Sequence, residues 1–292
     1  MKKERIYSSF ILLLAAAIWG FAFVAQKIGM RYVGPFTFNG VRFLLGAIVL
    51  IPFLKVFKSE SQSRTKPGIL KYGFIAGVFL FLGSSFQQIG ILYTTAGKAG
   101  FITGLYIVFV PIIGIFVGQK IGISKWLAVL ISFIGLYLLS VKSGISIGRG
   151  DLLVLIGSFF WAFHVQLIGH IANKFDTIKF AIIQFFTNSV ISLIAASLFE
   201  TIKLSAILNA YLPILYAGIL SVGVAYTLQI FGQKRTEPTV SALILETESV
   251  FSVIGGGLIL NEILNFKEIT GCVLMLFGII ISQIDFKRRK KL

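Results

Sequence analysis

Apolar residues in this chain gather into long unbroken runs rather than alternating or one-sided patterns. The runs fall near residues 7–26, 36–54, 69–92, 97–118, 125–141, 151–170, 178–199, 211–232, 238–260 and 268–284, separated by charges or by Gly, Pro and Asn clusters. A helix needs about 20 residues to cross ~30 Å of hydrocarbon, so the pattern predicts ten membrane-spanning helices joined by short loops. The stretch from Lys55 to Pro67 is the longest polar one and reads as a linker. Lys2, Lys3 and Arg5 ahead of an apolar core and Ala15, Ala16 and Ala17 have the layout of a secretory signal. That run continues through Val24 without a polar break, so it is expected to stay as the first span.

The runs are copied. Trp19 matches Trp161, Phe21 Phe163, Gln87 Gln229, Gly90 Gly232, Thr94 Thr236, Val108 Val250, Phe109 Phe251, Gly114 Gly256 and Lys125 Lys267, all at one offset of 142 residues (161 minus 19). Two units follow, residues 1–143 and 147–292, each holding five runs and together making one transmembrane domain. Because five is odd, the second unit enters the membrane in the opposite sense to the first. Inverted repeats of this kind are a construction of secondary transporters, in which one half rocks against the other around a midplane site.

Composition agrees with the lipid setting. The 292 residues are 57% hydrophobic and 13% charged, with mean hydropathy +0.92; soluble domains carry about 25% charge, so a soluble globule is excluded. The net charge of +16 does not mark a nucleic-acid binder, because the basic residues sit between apolar runs. Nineteen Lys and Arg fall at the termini and in the loops on their side of the membrane, seven fall on the other side, and Arg42 lies within a run. Retention of positive charge on the cytoplasmic side places both termini in the cytoplasm and the chain in the cell membrane. The run Lys287 to Lys291 is read as a topology anchor on an anionic leaflet. Cys272 is the only cysteine, so no intramolecular disulfide forms.

Charges within a span are costly, and each is a functional candidate. Arg42 lies roughly 9 Å into the second span at 1.5 Å per residue; it serves either a substrate or helix packing and snorkelling. Glu248 lies near the midplane of the ninth span, with Ser241, Ser252 and Gly255 on its face, and is preferred over Glu246 for the lumen. Its alternative is a buried acid bonded to a neighbouring Gln or Tyr, and for Glu246 that structural role is favoured. Further polar groups at depth are Gln87, Gln88, Tyr106, His164, Gln166, Gln184, Asn188, Tyr226 and Gln229, most of them suited to interhelical hydrogen bonds. His164 is either a proton relay or such a donor. The repeat pairs Tyr106 with Glu248 and Arg42 with Gln184, as a cavity lined from both halves requires.

Gly73 and Gly77, Gly100 and Gly104, and Gly114 and Gly118 are spaced for close helix packing, and Pro111 either kinks the fourth span or is simply tolerated there. No Walker-type phosphate loop, no His/Cys metal constellation and no Gly-x-Ser-x-Gly elbow occurs. No cofactor, no metal and no enzymatic activity are therefore expected.

The stretch Phe86-Gln87-Gln88-Ile89-Gly90 through Tyr93-Thr94-Thr95-Ala96-Gly97-Lys98-Ala99 to Val110-Pro111, with Trp161-Ala162-Phe163-His164, Gln229 to Gln233 and Leu245 through Phe251, resembles the EamA-type exporters of the drug/metabolite transporter superfamily. The likeness extends over essentially the whole chain. Asn261-Glu262 stands where the family has Gly-Glu, and Glu246 departs from the small or apolar residue expected there. The resemblance implies ten helices in two inverted five-helix repeats, cytoplasmic termini, and proton- or gradient-driven export of amino acids, related metabolites or toxic compounds.

The sequence reading is thus an all-α membrane carrier of small molecules, with Trp19, Arg42, Gln87, Tyr106, Trp161, His164, Gln229 and Glu248 at a substrate cavity and Glu248 as the proton-coupling group. Tyr106, Trp19 and Trp161 would supply its aromatic walls. The lipid bilayer and a small-molecule substrate are its expected partners. The alternatives are a membrane enzyme acting on lipid-linked substrates, or a passive channel or lipid-translocating protein.

Overall fold

In hydrocarbon every backbone N–H and C=O must be paired within the protein, and a helix does this inside its own segment. The computed structural model describes residues 2–56, 67–94, 96–140, 148–260 and 265–284, and every regular element among them is helical. In chain order these are α1 (Lys2–Gly29), α2 (Pro35–Leu50), α3 (Phe53–Val56), α4 (Ile69–Tyr93), α5 (Ala96–Gly104), α6 (Tyr106–Phe116), α7 (Ile123–Ser140), α8 (Arg149–Ile171) and α9 (Thr177–Phe199). There follow α10 (Leu204–Asn209), α11 (Tyr211–Leu215), α12 (Thr227–Gln233), α13 (Pro238–Leu245), α14 (Glu248–Leu260) and α15 (Phe266–Ser282). A π-helical segment, Tyr216–Tyr226, joins α11 to α12. Most of the linker, the Asn261-Glu262 pair and the basic tail lie outside the described residues.

Seven helical segments among the described residues are long and apolar enough to cross a membrane: Ile6–Gly29, Pro35–Lys55, Ile69–Tyr93, Ala99–Phe116, Arg149–Ile171, Thr177–Phe199 and Tyr211–Gln233. The other three apolar runs are helical too, but shorter. Run 125–141 contributes the apolar helix Ile123–Leu139 and run 268–284 the 17 residues of α15. Run 238–260 is divided at Glu246 and Thr247 into α13 and α14. Run 97–118 is interrupted as well, at Leu105, while α6 passes through Pro111 without ending.

Helix ends are tied down by side chains. Gly34 precedes α2 and offers no side-chain cap, so the first amides of α2 need an acceptor from elsewhere. Glu200, at the far end of α9, supplies it: its carboxylate accepts from Phe36 N (2.7 Å), Thr37 N (2.8 Å) and Thr37 Oγ1 (2.6 Å). That carboxylate occupies the space a side chain at Gly34 would need. Glu200→Ala is expected to cost about 1 to 2 kcal/mol, the range of a lost N-cap, read as a lower unfolding temperature in detergent micelles. Asp176 caps α9 through Lys179 N at 2.9 Å, and Asn265 with Glu268 forms a reciprocal capping box on α15.

Packing is pairwise. α7 lies along α15, α4 along α8 and α9, and α2 along α9 and the π-helical segment. α1 packs on the rod from α11 to α12 and on α13 and α14, while α8 packs on α5 and α6. Close approach relies on glycine at particular crossings. A Cβ at Gly90 would stand 2.8 Å from the Gly150 carbonyl oxygen, and one at Gly232 would stand 3.2 Å from that of Ser8. Gly73, Gly77, Gly104 and Gly114 are likewise packed against neighbours, but Gly100 and Gly118 face open space. Gly118 is instead needed for its backbone, turning out of α6 with φ of 82°.

Candidate functional site

Polar side chains inside a bundle must meet each other, a ligand or water, and here many of them converge. A cavity of about 60 Å³ opens among α1, α2, α4, α5, α6, α8, the π-helical segment, α12, α13 and α14. Trp19, Arg42, Gln87, Tyr106, Trp161, His164, Gln229 and Glu248 all line it. So do Phe23, Gln26, Thr103, Ser221 and Tyr226. In this conformer the cavity holds only a few water-sized occupants.

The two charged groups are unusual in their partners. Arg42 is 3% exposed and its Nε has no hydrogen-bond partner. Its guanidinium lies over the rings of Phe38 and Phe43, at 5.5 and 5.1 Å from their centroids, and it has no ion pair among the described residues. Glu248 stands at the first position of α14 and also has neither ion pair nor hydrogen bond there. Two turn residues back, Glu246 points the other way: it is 1% exposed, off the cavity, with both carboxyl oxygens unpartnered.

The uncharged polar groups divide into satisfied and unsatisfied. His164 Nε2 donates to Gln184 Oε1 at 3.0 Å, so Gln184 stands behind His164 as its acceptor on α9 rather than on the cavity wall. Gln87 donates to Thr103 Oγ1 (3.2 Å), Tyr106 Oη to the Ala242 carbonyl (3.3 Å) and Trp19 Nε1 to the Ser221 carbonyl (3.1 Å). Gln229 Nε2 donates to Gln233 Oε1 at 3.1 Å, leaving Gln229 Oε1 without a partner, as is Trp161 Nε1. These two are buried polar atoms on cavity-lining residues, and a small rearrangement that exposed them would let a polar ligand satisfy them.

Tyr226, which the sequence reading named only among polar groups suited to interhelical hydrogen bonds, is a central wall residue, whereas Phe23, Gln26, Thr103 and Ser221 were not singled out at all. Its ring lies 4.6 Å from Trp19, 6.1 Å from Trp161 and 6.1 Å from His164, with Phe43 and Phe185 behind at 6.0 and 5.9 Å. It ends the π-helical segment, and such segments often mark functional sites. The repeat gave no hint of it, because the residue 142 positions earlier is Ser84.

A second recess, about 400 Å³, lies where the start of α1 meets the loops before α7 and α13 and the end of α15. Lys125 and Glu237 pair across it and Arg235 reaches Glu4 at 3.8 Å. Among the described residues it contains no buried charge without a partner. No group of three or more His, Cys, Asp or Glu that could hold a metal occurs among the described residues.

Comparison with known proteins matches the EamA-like transporter family to residues 7–141 and again to residues 148–283. An uncharacterized transporter of Archaeoglobus fulgidus is 34% identical over 96% of this chain and 87% of its own. The uncharacterized transporter YoaV of Bacillus subtilis is 25% identical over 94% of this chain and 95% of its own. A solved crystal structure superposes with TM-score 0.80, covering 98% of this chain and 99% of the other at 16% identity, a likeness of fold alone.

Proposed function

Because the chain belongs to the EamA-like transporter family and is a multi-pass membrane transporter, we propose that it is a secondary carrier that exports amino acids or related small metabolites. The carrier has ten spans in two inverted repeats, both termini are cytoplasmic, and the substrate binds at the cavity lined by Arg42 and Glu248.

The symmetry rests on geometry that repeats at the sequence offset of 142. Gly90 packs on Val154 and the Gly150 carbonyl; adding 142 to the first and subtracting it from the others gives Gly232, which packs on Leu12 and the Ser8 carbonyl. The interruption at Leu105 has its counterpart at Thr247, so α6 begins at Tyr106 and α14 at the equivalent Glu248. Exchanging the halves also turns the contact of α4 with α8 into that of α1 with the rod of α11 to α12, and the contact of α5 and α6 with α8 into that of α13 and α14 with α1. Trp19 and Trp161, Gln87 and Gln229, and Tyr106 and Glu248 are equivalent pairs on one cavity, which supports a cavity between the two halves, where alternating access needs it.

One observation carries the substrate class: a buried cation and an acid line the same small cavity, and among the described residues neither has an ion-pair partner. An uncompensated buried charge costs several kcal/mol, and a zwitterion offers a carboxylate to Arg42 and an ammonium to Glu248 at once. Trp19, Trp161 and Tyr226 form the wall an apolar side chain would meet. In proteoliposomes loaded with unlabelled amino acids, uptake of labelled zwitterions is expected to be saturable and stimulated from the opposite side. Non-saturating flux without such stimulation would make the protein a channel or lipid-translocating device and sink the carrier reading.

A further inference from the structure

Glu246 is the buried acid that the carrier reading leaves without a task. Gly104 and Glu246 are equivalent under the repeat (246 minus 104 is 142), and they touch: a Cβ on Gly104 would fall on the Glu246 carboxyl. Two positions exchanged by a two-fold rotation can be in contact only if they straddle the axis. Glu246 therefore sits on the axis, one layer behind the cavity, between the kinks of the two broken helices.

Its surroundings suit a neutral acid. The Glu246 carboxyl oxygens are out of contact with solvent and lack hydrogen-bond partners. The Leu136 side chain of α7 closes over the same notch at Gly104. The Ser249 hydroxyl donates to the Glu246 backbone carbonyl at 2.8 Å, and it and the Tyr106 hydroxyl stand beside the carboxyl without a well-formed hydrogen bond to it. A carboxylate held in this way would be a buried charge with no compensating cation, so the notch suits the protonated form.

The titratable groups that face Glu246 are Glu248 of α14 and Tyr106 of α6, and Tyr226 faces Tyr106 in turn. α5 and α7 present Gly104 and Leu136, and α15 reaches Ser249 with Met275. No cation stands among them. Tyr106 is the link to the cavity: its side chain lines it, while its hydroxyl is held at the Ala242 carbonyl, one turn before Glu246 on α13.

We propose that Glu246 is a second proton-binding site, reached from the cavity past Tyr106, whose neutral acid holds α13 against Gly104 of α5 in this conformer. Losing the proton to cavity water breaks the carboxyl O–H bond and leaves a carboxylate that the closed notch cannot keep. The kinks must then part, admitting water and freeing the Tyr106 and Ser249 hydroxyls to donate to the new charge. The transport role of this step rests on the carrier reading above; the protonation state and the lock do not.

The test is infrared difference spectroscopy of the purified protein in lipid, where a neutral carboxylic acid and a carboxylate absorb at separate carbonyl frequencies. The Glu248→Gln variant removes the neighbouring acid, and Glu246→Gln/Glu248→Gln removes both while keeping their shapes. At neutral pH the first is expected to show a neutral-acid band that the second lacks. On alkaline titration that band should disappear together with an increase in amide hydrogen exchange in α5 and α13. A difference spectrum showing only carboxylate at neutral pH overturns the proposal, as does loss of the band with no change in exchange. Failure of counterflow with the band intact would instead count against the carrier reading alone. Where counterflow operates, wild-type exchange should fall at alkaline pH, because the conformer held by the neutral acid is no longer reached, and Glu246→Gln should lose that fall; an unchanged wild-type pH profile in that variant also overturns the coupling.

Discussion

Arg42→Ala is expected to lower substrate exchange in proteoliposomes roughly 30-fold or more. Truncating one partner of a buried, hydrogen-bonded charge pair costs about 2 to 5 kcal/mol, and each 1.4 kcal/mol is tenfold. Arg42 has the burial for this, at 3% exposed, and no described ion pair of its own to lose, so the deficit should appear only with substrate present. Thermal stability without substrate should hold or rise, because the variant removes a desolvated charge. Arg42→Lys keeps the charge but not the planar fork that grips a carboxylate and should fall between wild type and alanine. Arg42→Met separates recognition from packing: it preserves most of the contact with Phe38 and Phe43 and removes the cation. If Arg42→Met exchanges substrate as wild type does, Arg42 is a packing residue. Glu248→Gln should lose exchange to a similar degree, with the loss greatest for substrates carrying an ammonium group. Wild-type exchange by both variants would remove the substrate assignment altogether.

What made these two residues legible is the solvent. In lipid a charge is rare unless something holds it there, so Arg42 and Glu248 stood out against apolar runs before any geometry was known. The aromatic and amide pairs were legible for another reason, the common offset of 142, which marks Trp19 with Trp161 and Gln87 with Gln229 by position rather than by type. Features without a symmetric counterpart were missed or, like Tyr226, named without a place at the cavity. Tyr226 has Ser84 as its equivalent, and nothing in the composition of Tyr216–Tyr226 distinguishes a π-helical segment from an ordinary apolar helix. Glu200 reaches the amides of α2 from the other half of the chain, a partnership that no local pattern encodes. Spacing alone also misplaced Gly100 and Gly118 as packing residues, because a helical face is set by the neighbours present and not by the interval between glycines. Hydropathy could locate the run 238–260 but not the break at Glu246 and Thr247, which leaves a buried acid between two helices.

Gly271→Val is expected to be the most destabilising single substitution on the scaffold. α7 and α15 cross with backbone against backbone: a Cβ at Gly271 would stand 2.5 Å from the Gly135 carbonyl oxygen and 2.7 Å from Leu139 N. Its counterpart at Gly135 would stand 2.6 Å from the Gly271 carbonyl oxygen and 2.9 Å from Met275 N. No side-chain rotation relieves a clash with main chain, so the helices must move apart along their shared length and forfeit dispersion contacts on both sides. Overpacking of this kind costs about 1 to 3 kcal/mol for a modest increment, and valine, with two further carbons, should reach the upper end. Gly271→Ala should cost less and Gly135→Ala about the same as it. The two alanines share one displacement, so their combined effect should fall well short of the sum, as expected for residues in contact. Equilibrium unfolding in mixed micelles measures all four variants. Strict additivity would mean that the two glycines act at separate places and that the crossing is not the tight one described. Both glycines are away from the cavity wall, so the fraction that remains folded should bind substrate with unchanged affinity, which separates a scaffold defect from the loss expected at Arg42.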